Sequence, residues 1–309
     1  DPYTVPYLCK VRDGLFLFSP QTGGNTLDLV SPVTKRLNLG LFDAMVCKGQ
    51  DENGVRRGLD FQYINPILFL RTTDYYVGQS PDNALLGASG SLILGKHTTL
   101  YAQFVLDEMT FKEFIGGNGY WANKQSYQFG VKSYNCFNVK NLFLQGEFNM
   151  VRPYMYSHYD GEDNYAHLNQ PLAHPWGANF YEIVARAQYN YKRFYFQYKM
   201  NFGQWGDDIT TEDGEFQYYG HDIYHNYYDY YQIEGYEKPY YGHYMLTGEL
   251  NTLMMNNFVV SWLVNPSYNL NVFAEITHRN QNIEGFDNLN NFIVSFGIRT
   301  TLDRKYYDF

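Results

Sequence analysis

The sequence predicts an all-β protein, a transmembrane antiparallel up-and-down β-barrel of about 12 to 14 strands with long outer loops. Three observations predict it. Aromatic residues make up 19% of the chain, with 32 Tyr and 23 Phe, and these residues favour strands. Apolar and polar residues alternate with a period of two along many short runs. The segments between those runs differ greatly in length, as in barrels with short turns at one end and long loops at the other.

The alternation is clearest at 193–202 and recurs at 270–278 and 292–302, so each of these runs is predicted to form a strand with one apolar face. The apolar positions of the first run are Phe194, Phe196, Tyr198, Met200 and Phe202. Further candidate strands are 36–47, 61–71, 83–95, 98–107, 125–135, 138–151, 178–191, 245–252 and 257–264, with a weaker run at 14–18. Together they supply the strands that a barrel needs.

The longest stretch without Asp, Glu, Lys or Arg, 250–274, does not suit a membrane helix. It contains several Asn residues and Pro266. Each side-chain amide left without a hydrogen-bond partner in hydrocarbon costs on the order of several kcal/mol. The motif Asn-Pro-Ser-Tyr-Asn at 265–269 instead indicates a turn between two strands. Any membrane crossing by this chain is therefore predicted to use strands.

Aromatic residues near predicted strand ends favour a membrane barrel over a soluble β-sandwich or propeller, which stays the alternative. Tyr120, Trp121, Tyr189 and Tyr191 fit the aromatic girdles of outer-membrane barrels. The sequence ends in a strand-like run whose last residue, Phe309, is the expected assembly signal. These features predict an integral protein of the cell outer membrane in contact with the lipid bilayer and lipopolysaccharide.

The long segment after 151 contains the densest group of polar and aromatic residues and is the main candidate binding site. Tyr and Trp rings suit stacking on sugars, and Arg or Asn side chains supply directed hydrogen bonds. A self-packed constriction loop is the alternative. The candidate residues are Arg152, Tyr154, Tyr156, His158, His174, Trp176, Asn179 and Glu182.

A second, Tyr-rich segment at 216–244 is predicted to dock a partner protein or a polysaccharide, or else to plug the barrel lumen. Its candidate interface residues are Tyr227, Tyr228, Tyr230, Tyr231, Tyr240 and Tyr241. His221 and His225 have helical spacing, but without a metal-binding motif the sequence predicts no metal site. The acidic turn at 160–163 is predicted to be solvated and not to bind calcium.

The sequence indicates no enzymatic reaction and no cofactor. It contains no phosphate-binding loop, no dinucleotide fingerprint and no Gly-x-Ser-x-Gly motif. The net charge of −9 excludes nucleic acid as an expected partner, because phosphate binding requires a basic surface.

Motifs spread along the chain from about residue 35 resemble those of the Bacteroidota outer-membrane barrels of the capsule-assembly (Wzi-like) and gliding-motility-associated family. The longest motif is Asn-Gln-Pro-Leu-Ala-His-Pro-Trp-Gly-Ala-Asn-Phe at 169–180. Others lie at 36–42, 57–61, 63–66, 80–83, 100–103, 106–108, 121–124, 147–149, 151–154, 156–158, 297–300 and 304–309. We expect one barrel over 1–309. Residues 1–35 match poorly, so part of a larger barrel or a missing upstream region is the alternative.

The resemblance implies a non-enzymatic accessory or structural subunit of a cell-envelope machine serving gliding, secretion, outer-membrane assembly or capsule handling. Its implied partners are other outer-membrane or periplasmic proteins and surface polysaccharide. The alternative is a polysaccharide-binding surface lectin or a channel that acts alone, and an outer-membrane hydrolase comes third.

Overall fold

The computed structural model describes residues 7–11, 14–18, 25–46, 83–158, 164–167, 170–211, 213–214, 216–225 and 240–300. The first strands are β1 (Tyr7–Val11), β2 (Gly14–Phe18), β3 (Asn25–Pro32), β4 (Leu37–Val46), β5 (Asn83–Leu94), β6 (Thr98–Glu108), β7 (Lys124–Tyr134) and β8 (Leu142–Val151). The later strands are β9 (Ala166–His167), β10 (Gln170–Pro171), β11 (Phe180–Tyr191), β12 (Phe194–Asp207), β13 (Ile209–Thr210), β14 (Phe216–Gln217), β15 (Glu249–Asn265), β16 (Leu270–Ile283) and β17 (Leu289–Arg299).

In the part of the chain that the structure describes, helical structure is confined to short segments between strands. The α-helix α1 (Phe111–Gly116) follows β6, and 3₁₀ turns occupy Cys136–Asn138 and Pro266–Tyr268. Among the residues described, no helix is long and apolar enough to cross a membrane.

Thirteen strands form one antiparallel sheet in the order β1 to β8, β11, β12 and β15 to β17. Each strand pairs with the next sheet strand along the chain, which confirms the predicted up-and-down order. The two-residue strands form separate hairpins, β9 with β10 and β13 with β14, inside the two long connections. Within the described ranges the sheet is open, because β1 and β17 each pair on one side only.

Most predicted strands are present with boundaries shifted by a few residues, and three predictions need correction. The runs 245–252 and 257–264 are one continuous strand, β15. The run 138–151 begins as a strand only at Leu142, after a 3₁₀ turn. Strands β1 and β3 were not predicted. The predicted strand at 61–71 lies outside the described residues.

The turn at 265–269 forms as predicted and has a local cause. The side chain of Asn265 accepts a hydrogen bond from the Ser267 backbone N–H at 2.9 Å, and Pro266 starts the 3₁₀ turn. Asn269 takes a left-handed conformation with φ of 51°, which Asn tolerates better than most residues. The chain therefore reverses directly from β15 into β16.

Among the described side chains, one face of the sheet is apolar and largely exposed; we call it the apolar face. Pairing places Ile183 beside Phe148 and Phe202, and Val294 beside Ile276. Many of these side chains are exposed, up to 86% for Phe296. This face agrees with the alternation predicted for 193–202 and 292–302.

The opposite face, which we call the polar face, has mainly amide, hydroxyl and charged side chains. Because successive residues of a strand point to opposite sides, Gln128, Glu147, Asn149, Glu182 and Asn201 share this face. The described parts of the two long connections, from β8 to β11 and from β12 to β15, pack against one end of it. The core lies there, between strands and loops, and comprises Ala44, Leu85, Val151, Met155, Tyr156, Ala178, Phe180 and Ile223.

Candidate functional site

The segment between β10 and β11 lies over the polar face and is anchored there by a buried carboxylate. Glu182 is 5% exposed. Its Oε2 accepts hydrogen bonds from Asn149 Nδ2 and from His174 Nε2, each at 2.9 Å, and its Oε1 accepts one from Asn201 Nδ2 at 2.9 Å. Three donors from two strands and the loop compensate the lost hydration of this carboxylate.

The hydrogen bonds of His174 define its tautomer. Its Nδ1 accepts from the backbone N–H of Trp176 at 3.2 Å, so Nδ1 carries no proton. Its Nε2–H is therefore the group that donates to Glu182. The loop is tied to the sheet through the Nε2–H of this imidazole.

An aromatic group packs beside this network. The ring of Trp176 lies 5.3 Å from Trp205 and 5.7 Å from Phe180, and His174 lies 4.5 Å from Phe180, measured between ring centroids. The indole also lies against Gly203, where a Cβ atom would overlap the ring. The absence of a side chain at 203 is what lets the loop approach the polar face.

Asn179 joins three segments of the chain. It is fully buried and has φ of 56°. Its amide nitrogen donates to the carbonyl oxygens of Gly206 and Thr247, both at 2.8 Å, and its Oδ1 accepts from the Leu246 N–H at 2.8 Å. Every polar atom of this side chain is used inside the protein, so Asn179 positions the loops.

Arg152 also links loops. Its Nε donates to the carbonyl oxygen of Asn123 at 2.7 Å and its Nη2 to that of His243 at 3.3 Å. Burial lowers the pKa of Arg152 from its ordinary value. The guanidinium therefore crosslinks the loop before β7 to the loop before β15.

Tyr154 is 1% exposed and sits where the two long connections meet. Its hydroxyl donates to the carbonyl oxygen of Tyr218 at 2.9 Å and lies 3.1 Å from Nδ1 of His243. Its ring makes edge contacts with Trp121 and Tyr218. These contacts make Tyr154 part of the loop core.

Tyr156 and His158 connect the loop after β8 to strands β6 and β7. The Tyr156 hydroxyl donates to Ser126 Oγ at 3.1 Å, and burial raises the pKa of Tyr156 to about 12. The His158 backbone N–H donates to Asn164 Oδ1 at 2.6 Å, and its Nε2 lies 3.8 Å from Oε1 of Glu108. The structure thus divides the eight predicted residues into two groups. His174 and Trp176 lie over the polar face beside Glu182, which belongs to it. The other five residues hold the loops to one another or to strands β6 and β7.

A cavity of about 300 Å³ lies between the polar face and the loop that carries His174. One wall comes from β4 to β8 and includes Gln103, Gln128 and Asn149. The other wall includes Tyr156 and Tyr165, whose rings stack with centroids 5.9 Å apart. The cavity combines amide groups and apolar side chains such as Leu85 and Val105 on the sheet side with aromatic rings on the loop side.

Asp208 organises the second long connection, and sequence reasoning missed it. Its carboxylate accepts from the backbone N–H groups of Tyr219 at 2.5 Å, Asp222 at 2.8 Å and His221 at 3.4 Å. Burial raises the pKa of Asp208 from its ordinary value, and these three donors oppose that shift. The carboxylate fixes the turn that follows β14.

The helical arrangement of His221 and His225 is not formed, since the described residues 216–225 contain only β14 and turns. His221 Nδ1 lies 2.7 Å from the Ala178 carbonyl oxygen, and His225 packs against Phe216 with centroids 4.5 Å apart. Across the described ranges, no three His, Cys, Asp or Glu side chains come together as metal ligands.

Two of the predicted interface tyrosines can be placed. Tyr240 and Tyr241 are about half exposed, and Tyr241 contacts Tyr120 with centroids 5.6 Å apart. Tyr227, Tyr228, Tyr230 and Tyr231 lie outside the described residues, as do the acidic turn at 160–163 and Phe309.

Asn149, Asn201, Gly203 and Trp205 were not predicted as site residues. The signals for the two Asn residues were their place at polar positions of alternating strands and, for Asn149, the motif at 147–149. Their convergence on Glu182 depends on register, pairing Glu182 with Asn149 on one side and Gly203 on the other. A single sequence does not specify that register.

The described residues form an antiparallel sheet with one apolar and one polar face, an arrangement typical of membrane β-barrels. Comparison with solved structures finds a similar fold in Wzi of Escherichia coli, described as an outer membrane protein involved in group 1 capsule assembly and a carbohydrate-binding β-barrel. The TM-score is 0.51 at 12% sequence identity.

The match covers 89% of this chain and 51% of the Wzi chain, so this chain spans about half the length of that relative. At this identity the likeness concerns the fold. No protein-family model and no curated protein matches the sequence.

Proposed function

We propose that the chain forms all or part of an integral outer-membrane β-barrel that binds surface polysaccharide without enzymatic activity. The observation that carries the proposal is the division of the sheet into an apolar and a polar face. An uncovered apolar face is stable where lipid surrounds it, and a polar face suits a barrel interior. In this proposal acyl chains of the bilayer and of lipopolysaccharide contact the apolar face.

Strand lengths support the membrane part of the proposal. A membrane-spanning β-strand needs roughly 9 to 11 residues. Strands β12 and β16 have 14 residues each, and β6, β7 and β17 have 11 each. A barrel would also require closure of the sheet, which is open within the described ranges.

The polar face supports the carbohydrate part. Amide side chains occur along it in several strands, with Gln103, Gln128, Asn149, Asn201 and Asn257 as examples. Amides both donate and accept hydrogen bonds, as sugar hydroxyls require. The similar fold of Wzi, itself a carbohydrate-binding barrel, points in the same direction.

Binding of purified polysaccharide to the full chain in detergent tests this proposal. Calorimetry with polysaccharide isolated from the surface of the source cells should show saturable binding. Trp176→Ala should weaken it about tenfold, because the loop loses its contact with Gly203, whereas Trp262→Ala on the apolar face should not. Absence of saturable binding by the folded wild-type protein would contradict the proposal.

An accessory subunit of a cell-envelope machine is the second candidate, and an exposed aromatic surface favours it. Phe111 and Ile115 of α1 are exposed, as are Tyr240, Tyr241 and Tyr244 before β15. Aromatic side chains are enriched where proteins recognise partners. In this reading the surface contacts another outer-membrane or periplasmic protein of a gliding, secretion, assembly or capsule system.

Extraction of the tagged chain from native outer membranes in mild detergent, followed by mass spectrometry, tests this second candidate. Stoichiometric recovery of other envelope proteins, lost in a Phe111→Ser/Ile115→Ser variant, is the expected result for a subunit. Recovery of the chain alone, or with polysaccharide only, contradicts it. Liposome swelling by the purified chain would indicate a channel.

A further inference from the structure

The cavity between the polar face and the loop carrying His174 lies beside the core, and its lining includes the core residues Leu85, Val151 and Phe180 as well as polar side chains. Its volume of about 300 Å³ lies at the lower end of the range for small-molecule sites, roughly 300 to 1,000 Å³. A space of this size suits one sugar residue of a chain and not an extended segment. The chemistry of its walls indicates which sugar residue fits.

Two carboxylates behind the amide wall fix the direction of the amide groups. Glu147 Oε1 accepts from Gln128 Nε2 at 3.3 Å and from Asn149 Nδ2 at 3.1 Å, and Glu182 accepts from the same Asn149 nitrogen. The Gln128 nitrogen also donates to Asn149 Oδ1 at 3.1 Å. The nitrogen atoms of both amides are therefore used within the sheet.

An amide oxygen of Gln128 and the complete side-chain amide of Gln103 can bind a ligand in the cavity. Within the described part of the chain, Gln128 Oε1 accepts no hydrogen bond and the Gln103 side chain makes none. Sugar hydroxyls can donate to these oxygens and accept from the Gln103 nitrogen. The stacked rings of Tyr156 and Tyr165 supply an apolar surface opposite them.

The charges around the cavity select against acidic sugars. Neither Lys nor Arg lines it, and the carboxylates of Glu147 and Glu182 lie directly behind its amide wall. Among the described residues that line it, His174 is the one basic side chain, and its two ring nitrogens are already used by Glu182 and by the Trp176 N–H. A carboxylate placed in the cavity would therefore be desolvated beside like charges, with neither Lys nor Arg to pair with.

We infer that this cavity is a subsite for one neutral glycosyl unit, which Gln103 and Gln128 hydrogen-bond and the Tyr156–Tyr165 pair contacts, and that it rejects hexuronates. The inference rests on the proposed carbohydrate-binding function and names the sugar class that this part of the site accepts.

The test measures binding of methyl hexosides and of the corresponding methyl hexuronosides to the full chain in detergent by calorimetry. At least one neutral glycoside should bind about tenfold more tightly than its hexuronoside. Gln103→Ala should weaken that binding about five- to tenfold, the usual effect of one lost hydrogen bond. Leu172→Trp, in the exposed loop wall, should block it by filling the cavity. Gln145→Ala, on the same polar face outside the cavity, is the matched control.

The outcomes separate this inference from the proposed function. Equal or tighter binding of hexuronosides overturns the inference. It is also overturned if the chain binds polysaccharide with an affinity that Gln103→Ala and Leu172→Trp leave unchanged. If the folded chain binds neither polysaccharide nor any glycoside, the proposed function fails, and the subsite with it.

Discussion

The indole of Trp176 lies directly against Gly203, in space that a Cβ atom at position 203 would occupy. Trp205 and Phe180 pack on the same ring, so it has little room to move away. Position 203 therefore controls how closely the loop before β11 approaches the polar face.

Gly203→Ala should lower the free energy of unfolding by about 1 to 3 kcal/mol, because the added methyl group overpacks this contact. Urea unfolding in detergent, followed by tryptophan fluorescence, measures the change. Gly146→Ala is the matched control, since a Cβ there meets only Val131 at 3.9 Å. Equal losses of unfolding free energy in the two variants would show that the contact with Trp176 does not account for the cost of Gly203→Ala.

Glu182→Gln should destabilise the protein by about 1 to 3 kcal/mol. The carboxylate accepts three hydrogen bonds, from Asn149, His174 and Asn201. In glutamine one of the two accepting oxygens becomes an amide nitrogen, which is itself a donor and cannot accept a hydrogen bond from these side chains. Glu275→Gln, where the carboxylate accepts from Asn257 at 2.6 Å, is the control and should cost less. Urea midpoints of the two variants give the comparison. If Glu182→Gln leaves the free energy of unfolding unchanged, the network does not require the negative charge.

Asn179→Ala should release the loops more than it disturbs the sheet. Three backbone groups lose their partner, at about 1 to 3 kcal/mol for each group left buried and unsatisfied. Limited chymotrypsin digestion should cleave the segment 208–248 faster in this variant, while the strands stay protected. Asn141→Ala, in an exposed turn, serves as control. Unchanged cleavage rates would contradict the linking role of Asn179.

Alkaline pH should destabilise the loop core through Tyr156. Its pKa is about 12 in the folded protein against 10.0 ordinarily. The unfolded chain therefore releases this proton first, and the stabilising contribution, present below pH 10, is lost as the pH rises toward 12. Tyr156→Phe should reduce the loss of unfolding free energy between pH 9.5 and 11.5, by up to about 2 to 3 kcal/mol. Identical pH slopes for the variant and the wild-type protein would contradict this.

The fold was predictable because alternation depends only on neighbouring residues. The one large error was the division of β15 at 253–256, which left Asn256 in the gap and Asn257 at the start of the second predicted strand. In the structure Asn256 accepts from the Tyr198 hydroxyl at 2.6 Å, and Asn257 donates to Glu275 and Thr277. Cross-strand partners make both amides compatible with a continuous strand, and these partners are not visible in the local sequence.

The site was predictable only as a region. The segment 152–182 contains the residues that meet the polar face, but partners far along the chain decide their roles. His174 has Glu182 nearby in sequence, whereas Asn179 depends on Gly206 and Thr247. Spacing alone could not separate a residue that faces the cavity from one that joins loops.

The hydrogen bonds of Arg152 and Asn179 limit how this protein could diversify. Strand pairing follows chain order, so in principle each loop could be exchanged without changing the register of the sheet. Arg152 and Asn179, however, bond to backbone atoms of two other connections and of strand β12. A transplanted loop would have to place its backbone carbonyl groups where the side chains of neighbouring loops can hydrogen-bond to them. New specificities should therefore arise by grafting the loops as a set, or by substituting side chains within them.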